Sequence, residues 1–114
     1  MTVQIKTIIY PVRDLAKAKA LFNQLLGVEP VWDQPYYVGY QVDGHDIGLD
    51  PHGHSKGMTG SVGYWDVEDI AKAVQGLLDV GAELMQEPKD VGGGKLIALV
   101  KDTDGNVIGL AQAA

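Results

Sequence analysis

An α+β domain made of two βαβββ modules is the architecture this sequence predicts, and three observations point to it. Asp104-Gly105-Asn106-Val107-Ile108-Gly109-Leu110 repeats Asp43-Gly44-His45-Asp46-Ile47-Gly48-Leu49: Asp-Gly, two variable residues, then Ile-Gly-Leu, 61 positions apart. Upstream, Asp14-Leu15-Ala16-Lys17-Ala18 pairs with Asp69-Ile70-Ala71-Lys72-Ala73, 55 positions on, and Gly27 pairs with Gly81. Two motifs in the same order mark an internal duplication, and a period this long suits paired modules rather than a solenoid. Third, each half switches from strand to helix to strand periodicity in the same sequence.

In the first half, Ile5 to Tyr10 is rich in β-branched residues and stops at Pro11, so it reads as a strand. Asp14 is placed to cap a helix whose apolar positions Leu15, Ala18, Phe22, Leu25 and Leu26 form one stripe, ending at Gly27. Val28 to Trp32 is a short strand, Asp33-Gln34-Pro35 a turn, and Tyr36 to Val42 a strand. Asp43-Gly44 is a tight hairpin turn, since Gly tolerates positive φ and Asp bonds the turn backbone. Asp46 to Asp50 completes the module.

The stretch from Pro51 to Gly57 is too rich in Gly and Pro for a regular element and is expected to be a linker. Ser61 to Val67 is the next strand. A second helix starts at about Asp69 with Ile70, Ala73, Val74, Leu77 and Leu78 on its apolar face and stops at Gly81. Ala82 to Gln86 is a short strand ending near Pro88, followed by a strand from Lys95 to Lys101, a second Asp-Gly hairpin and a last strand. Residues 1–114 thus form one domain, with modules of about 1–50 and 60–114 and a linker of about 51–59. Two curved sheets with helices outside would line a cleft between like modules, a natural small-molecule pocket.

Composition narrows the function. The 114 residues carry a net charge of −6 and no cysteine, which removes disulfides, thiolate metal sites and Cys nucleophiles. Nucleic acid is not an expected partner, because it calls for clustered Lys and Arg. No run is long and apolar enough to span a bilayer and no signal peptide is evident, so a cytoplasmic location without membrane contact is expected.

The combination of Val12-Arg13-Asp14-Leu15, Phe22, Leu25-Leu26-Gly27 and Asp102-Thr103-Asp104-Gly105-Asn106 with Ile108-Gly109-Leu110 resembles the vicinal oxygen chelate superfamily. The same group is called the glyoxalase/bleomycin resistance/dioxygenase superfamily, and its duplicated layout covers nearly the whole chain. Thr103 stands where that family usually has proline. The resemblance implies a metal site of four His or Glu ligands, one on each of four strands, acting as a Lewis acid on vicinal oxygens. Matched on those motifs, the four positions are Thr7, Gly48, Val62 and Gly109, and none offers an imidazole or carboxylate. A one-residue slip either way brings in no His, Asp or Glu. The expectation is therefore no metal ligands and no cofactor.

The remaining candidates each carry two readings. Asp46 and Asp50 share strand parity with Gly48; as a pair they hold a cation or a substrate hydroxyl, or else they sit at strand ends in water. Tyr64 shares parity with Val62 and offers a hydroxyl inward, while Trp65 has the opposite parity and is expected under a helix, as Tyr10 is. Trp32, Tyr36, Tyr37 and Tyr40 either stack on a planar ligand or serve packing. His52-Gly53-His54 has metal-like spacing without a third ligand, and His45 sits at a turn. Gly92-Gly93-Gly94-Lys95 lacks the frame of a phosphate loop and precedes a strand. No Ser-His-Asp arrangement follows from the spacing, so catalytic residues are unassigned.

The expected site is accordingly a ligand-binding cleft drawn from Thr7, Trp32, Tyr37, Asp46, Gly48, Asp50, Val62, Tyr64 and Gly109. Glycine at two of the ligand positions would leave room there for a bulky aromatic or apolar molecule. The function expected is binding of a small organic ligand without the metal, for drug sequestration or sensing, in a homodimer. The alternative is a glyoxalase-like lyase/isomerase or dioxygenase with a displaced or absent metal site.

Overall fold

A computed structural model describes residues 3–114. Lys6–Val62 form one compact unit, and Gly63–Ala114, joined by residues 3–5, form the other. The first unit runs β1 (Gln4–Pro11), α1 (Leu15–Leu26), β2 (Trp32–Gln34), β3 (Tyr37–Val42) and β4 (His45–Asp50), followed by one 3-10 turn at His54–Lys56. Its strands lie in the order β2-β3-β4-β1, with β1 parallel to β4 and the other pairs antiparallel. The second runs β5 (Val62–Asp66), α2 (Ile70–Asp79), β6 (Glu83–Asp90), β7 (Leu96–Lys101) and β8 (Val107–Gln112). Its order, β6-β7-β8-β5 with β5 parallel to β8, repeats the first. The α+β class and the βαβββ duplication are both realised.

The two helices begin identically. Asp14 accepts the Lys17 N–H at 3.1 Å, and Asp69 accepts the Lys72 N–H at 3.1 Å, each carboxylate satisfying an amide with no partner inside its helix. They end differently. Gly27 adopts the left-handed conformation at φ 71° and donates its N–H to Asn23, whereas α2 closes through Val80 with Gly81 beyond it at φ 111°.

Each helix packs on one face of its own sheet. Leu15, Ala18, Phe22 and Leu26 of α1 lie against Val38, Tyr40 and Leu49, with Tyr10 tilted on Phe22 at a centroid separation of 5.0 Å. Leu25 does not belong to this stripe and is 68% exposed. Successive residues turn by about 100°, so the contact line that runs through Ala18, Phe22 and Leu26 leaves Leu25 to one side. In the second unit Ile70, Val74, Leu77 and Leu78 of α2 cover Ala98, Val100 and Leu110. Trp65 lies opposite Leu110, on the face that α2 covers, as its parity implies, yet remains 38% exposed. Among the described residues, no helix is long and apolar enough to cross a membrane.

Several element boundaries move. The strand expected at Val28 to Trp32 begins only at Trp32 and takes in Asp33-Gln34, where a turn was expected; these residues pair with β3, and the Lys19 ammonium of α1 pairs with Asp33. Strand β6 continues through Pro88 to Asp90, since an edge strand tolerates a residue without an N–H and its register shifts between Gln86 and Lys89. The linker contains a regular turn after all, the 3-10 segment at His54–Lys56.

The two Asp-Gly hairpins are built differently. Asp43 (φ 51°) and Gly44 (φ 80°) form a two-residue turn with both φ positive, matching the twist of the strands they join. The second is a five-residue loop organised by Asp102, whose carboxylate accepts the N–H of Asp104 (2.9 Å), the N–H of Asn106 (2.8 Å) and the Asn106 side-chain amide (2.9 Å). Those bonds, the Asn106 side chain first, hold the Asp102 carboxyl below its usual range.

Burial ranks the core substitutions. Leu49 is fully buried and Leu25 is 68% exposed, so Leu49→Ala should lower the unfolding free energy by about 2–5 kcal/mol. Leu25→Ala should change it by no more than about 0.5 kcal/mol, both read from denaturant midpoints.

Candidate functional site

Alternation along the strands divides the first unit's sheet into a helix-bearing face and a free one. The register pairs Ile9 with Gly48 and Thr7 with Asp46, Gly48 with Gly39, and Gly39 with Trp32. Thr7, Trp32, Tyr37, Asp46, Gly48 and Asp50 therefore share the face that α1 does not cover. Tyr40 belongs to the other face, where its hydroxyl donates to Asn23 Oδ1 at 2.7 Å.

Tyr37 organises this face. Its ring leans from β3 across β4, and a Cβ added at Gly48 would lie 1.8 Å from the Tyr37 hydroxyl. The room expected at Gly48 is therefore already filled by a side chain of the same sheet. Gly39 serves the same ring, since a Cβ there would meet Tyr37 at 3.3 Å and the Trp32 Cβ at 3.5 Å. The two aromatic residues are thus neighbours. Burial pushes the Tyr37 phenol up to about 12, and the negative charges of Asp46 and Asp50 add to the shift. The phenol is a neutral hydrogen-bonding group at physiological pH.

The two aspartates have different surroundings. Asp50 is only 4% exposed, so a strand end in water does not describe it. Its carboxylate accepts the His52 N–H at 2.8 Å and pairs with the Lys56 ammonium at 2.7 Å, fastening the 3-10 turn to the end of β4. Gly53, inside that loop, is packed so closely that a Cβ would fall 2.6 Å from the Pro11 side chain. Asp46 is half-buried and receives one neutral donor, the Gln41 amide at 3.3 Å. Lys56 and Gln41 were not anticipated. Lys56 follows a Pro/Gly loop that carries no periodicity, whereas Gln41 was accessible from the hairpin register around Asp43-Gly44.

The histidines lie at loops. His45 is exposed at the turn with Nδ1 3.1 Å from the Asp43 carbonyl, and His52 is exposed with its backbone engaged by Asp50. His54 opens the 3-10 turn.

On β5 and β8, Val62, Tyr64 and Gly109 share the face away from α2, with Tyr64 opposite Gly109 in the parallel pairing. A Cβ at Gly109 would fall 2.6 Å from the Tyr64 ring, and Tyr64 is 3% exposed. Its ring occupies the space that glycine was expected to leave open. Val62 is 1% exposed.

These contacts decide the fit of the metal that the resemblance implies. Two of the four positions are glycines roofed by tyrosine rings, one is a buried valine and one is Thr7. The residues present do not fit a divalent centre at those positions, which needs several imidazole or carboxylate donors. Among the described residues, no three His, Asp or Glu side chains converge elsewhere to hold one.

The family model of the Glyoxalase/Bleomycin resistance protein/Dioxygenase superfamily matches residues 4–110. Among curated proteins, none matches. Solved structures of similar fold include one described as a glyoxalase/bleomycin resistance protein/dioxygenase superfamily member from Vibrio splendidus 12B01, 22% identical with a TM-score of 0.73, covering 98% of this chain and 100% of that one. Another is described as an NAD-dependent benzaldehyde dehydrogenase from Legionella pneumophila, 16% identical with a TM-score of 0.74, covering 95% and 98%. A third is methylmalonyl-CoA epimerase from Mycobacterium tuberculosis, 17% identical with a TM-score of 0.69, covering 96% and 87%. Three such different descriptions at these identities establish a shared fold and no shared activity.

The Tyr37–Gly48 contact has a titration signature. Relative to an ordinary 10.0, the raised phenol makes the folded state favour the neutral form. Its stabilisation is whole below pH about 10 and is lost as pH rises through about 12. Spectrophotometric titration should show this late tyrosine transition, absent from Tyr37→Phe. In Gly48→Ala the new methyl displaces the ring, and the transition should move down toward about 10.

Proposed function

Because the chain belongs to the Glyoxalase/Bleomycin resistance protein/Dioxygenase superfamily, we propose that it is a small-molecule-binding member that works without the superfamily's metal centre, in sequestration or sensing. The observation that carries this reading is the pair of tyrosines on the two glycines, Tyr37 on Gly48 and Tyr64 on Gly109. Each puts an aromatic ring where a metal ligand would project. Binding then falls to the free face of the first sheet, where Trp32 and Tyr37 supply aromatic surface and Asp46 and Thr7 supply polar groups.

A second reading is enzymatic and rests on Tyr37 alone. A phenol held neutral beside two carboxylates offers a hydrogen bond to a developing oxyanion of a bound substrate. That reading corresponds to a metal-independent lyase or isomerase, tested by turnover of a 2-oxoaldehyde–thiol adduct and its loss in Tyr37→Phe.

A homodimer is part of the proposal. Val31 is 65% exposed and Tyr36 57%, on either side of the short edge strand β2, and large apolar groups so placed favour association. Sedimentation should give twice the 12.2 kDa chain mass, with Tyr36→Asp shifting the equilibrium toward monomer; a monomer at all concentrations removes this part.

The central test is elemental analysis of dialysed protein after incubation with zinc, nickel, manganese or iron. Retention well below one ion per chain is expected. One ion per chain would overturn the metal-independent reading and send the protein to enzyme assays.

A further inference from the structure

We propose that the free face of the first sheet selects a small organic cation, its ammonium or amidinium against Asp46 and its planar or alkylated body against Trp32 and Tyr37. The inference rests on the small-molecule reading above and adds the charge of the ligand.

The charge inventory of the face is one-sided. The residues that β1, β2, β3 and β4 place there include Asp46 and Asp50 and no Lys or Arg. Lys56 approaches it, but its ammonium is 2.7 Å from Asp50 and is neutralised by it. Asp46 has no such partner. Among the described residues its contact is the neutral Gln41 amide at 3.3 Å, and no Lys, Arg or His lies within ion-pairing distance of it. An anion brought to this face would meet Asp46 with no cation to receive it, whereas an organic cation completes the pairing.

The aromatic groups suit the same ligand. Gly39 brings the Trp32 Cβ and the Tyr37 ring to adjacent places, and Trp32 is 51% exposed. Asp46 lies two residues from Gly48, on which the Tyr37 hydroxyl rests, about 7 Å along the strand. Trp32, Tyr37 and Asp46 thus project from the three neighbouring strands β2, β3 and β4 on one face, and an aromatic pair beside a carboxylate attracts a weakly hydrated cation. A separate sign of the local field is that both aspartates help to raise the Tyr37 phenol.

Three probes of similar shape test the charge: benzyltrimethylammonium, benzyl alcohol and benzoate, measured by calorimetry at moderate salt. Benzyltrimethylammonium should bind saturably and about tenfold or more tighter than benzyl alcohol, with benzoate weakest. Asp46→Asn, a change at a half-buried side chain, should cost the cation about tenfold and leave benzyl alcohol unchanged. Trp32→Phe should weaken the cation several-fold, since indole is the strongest of the aromatic faces. Benzoate binding as tightly as the cation, or cation affinity indifferent to Asp46→Asn, overturns the inference. If benzyl alcohol binds through Trp32 and the cation does not, the charge assignment falls while the small-molecule reading stands. If none of the three binds, the inference falls, and metal analysis decides the broader reading separately.

Discussion

The parallel ladder between the first and last strand of each module is the constraint from which the rest follows. It brings Ile9 beside Gly48 in one unit and Tyr64 beside Gly109 in the other. Two parallel strands need a crossover, and in each module the helix and the intervening hairpin supply it. The helix then claims the face bearing Leu49 or Leu110. What remains for chemistry is the opposite parity, and that parity carries glycine in both copies.

Glycine at those two places is a matter of close approach, not of backbone conformation. Both lie within β4 and β8, outside the positive-φ set. What each allows is a tyrosine ring in van der Waals contact with the bare backbone. The superfamily's fold is kept, and at both glycines a tyrosine ring covers the strand. In the first unit the roof is half-buried and bordered by a carboxylate without a cationic partner; in the second it is buried.

Much of the fold was legible because duplication doubles every signal. Asp14 and Asp69 announce their helices in the same way, and Ile-Gly-Leu marks the last strand twice. The face shared by Thr7, Trp32, Tyr37, Asp46, Gly48 and Asp50 follows from period-two alternation once the hairpin at Asp43-Gly44 sets the register. The losses came where tertiary contact overrides local pattern. A strand through Pro88 is acceptable only because β6 lies at an edge, and the bounds of β2 are set by its pairing with β3, Trp32 opposite Gly39 and Gln34 opposite Tyr37. No local rule states that Tyr37 lies over Gly48, because the ring crosses from one strand to the next. The Asp50–Lys56 pair is hidden for the same reason, its partners being separated by an irregular loop.

The proline in β6 has a consequence for how copies of this chain can meet. An open strand edge is a template on which further strands add, and fibrous aggregation proceeds along it. Here Pro88 removes one donor from that template, and the register shifts before and across it break the even spacing an incoming strand would need. The outer strand of the first unit, β2, is three residues long and offers too few rungs to nucleate growth. Both outer strands are thus poor seeds for polymerisation, which directs any association of copies toward side-chain surfaces that bury and stop.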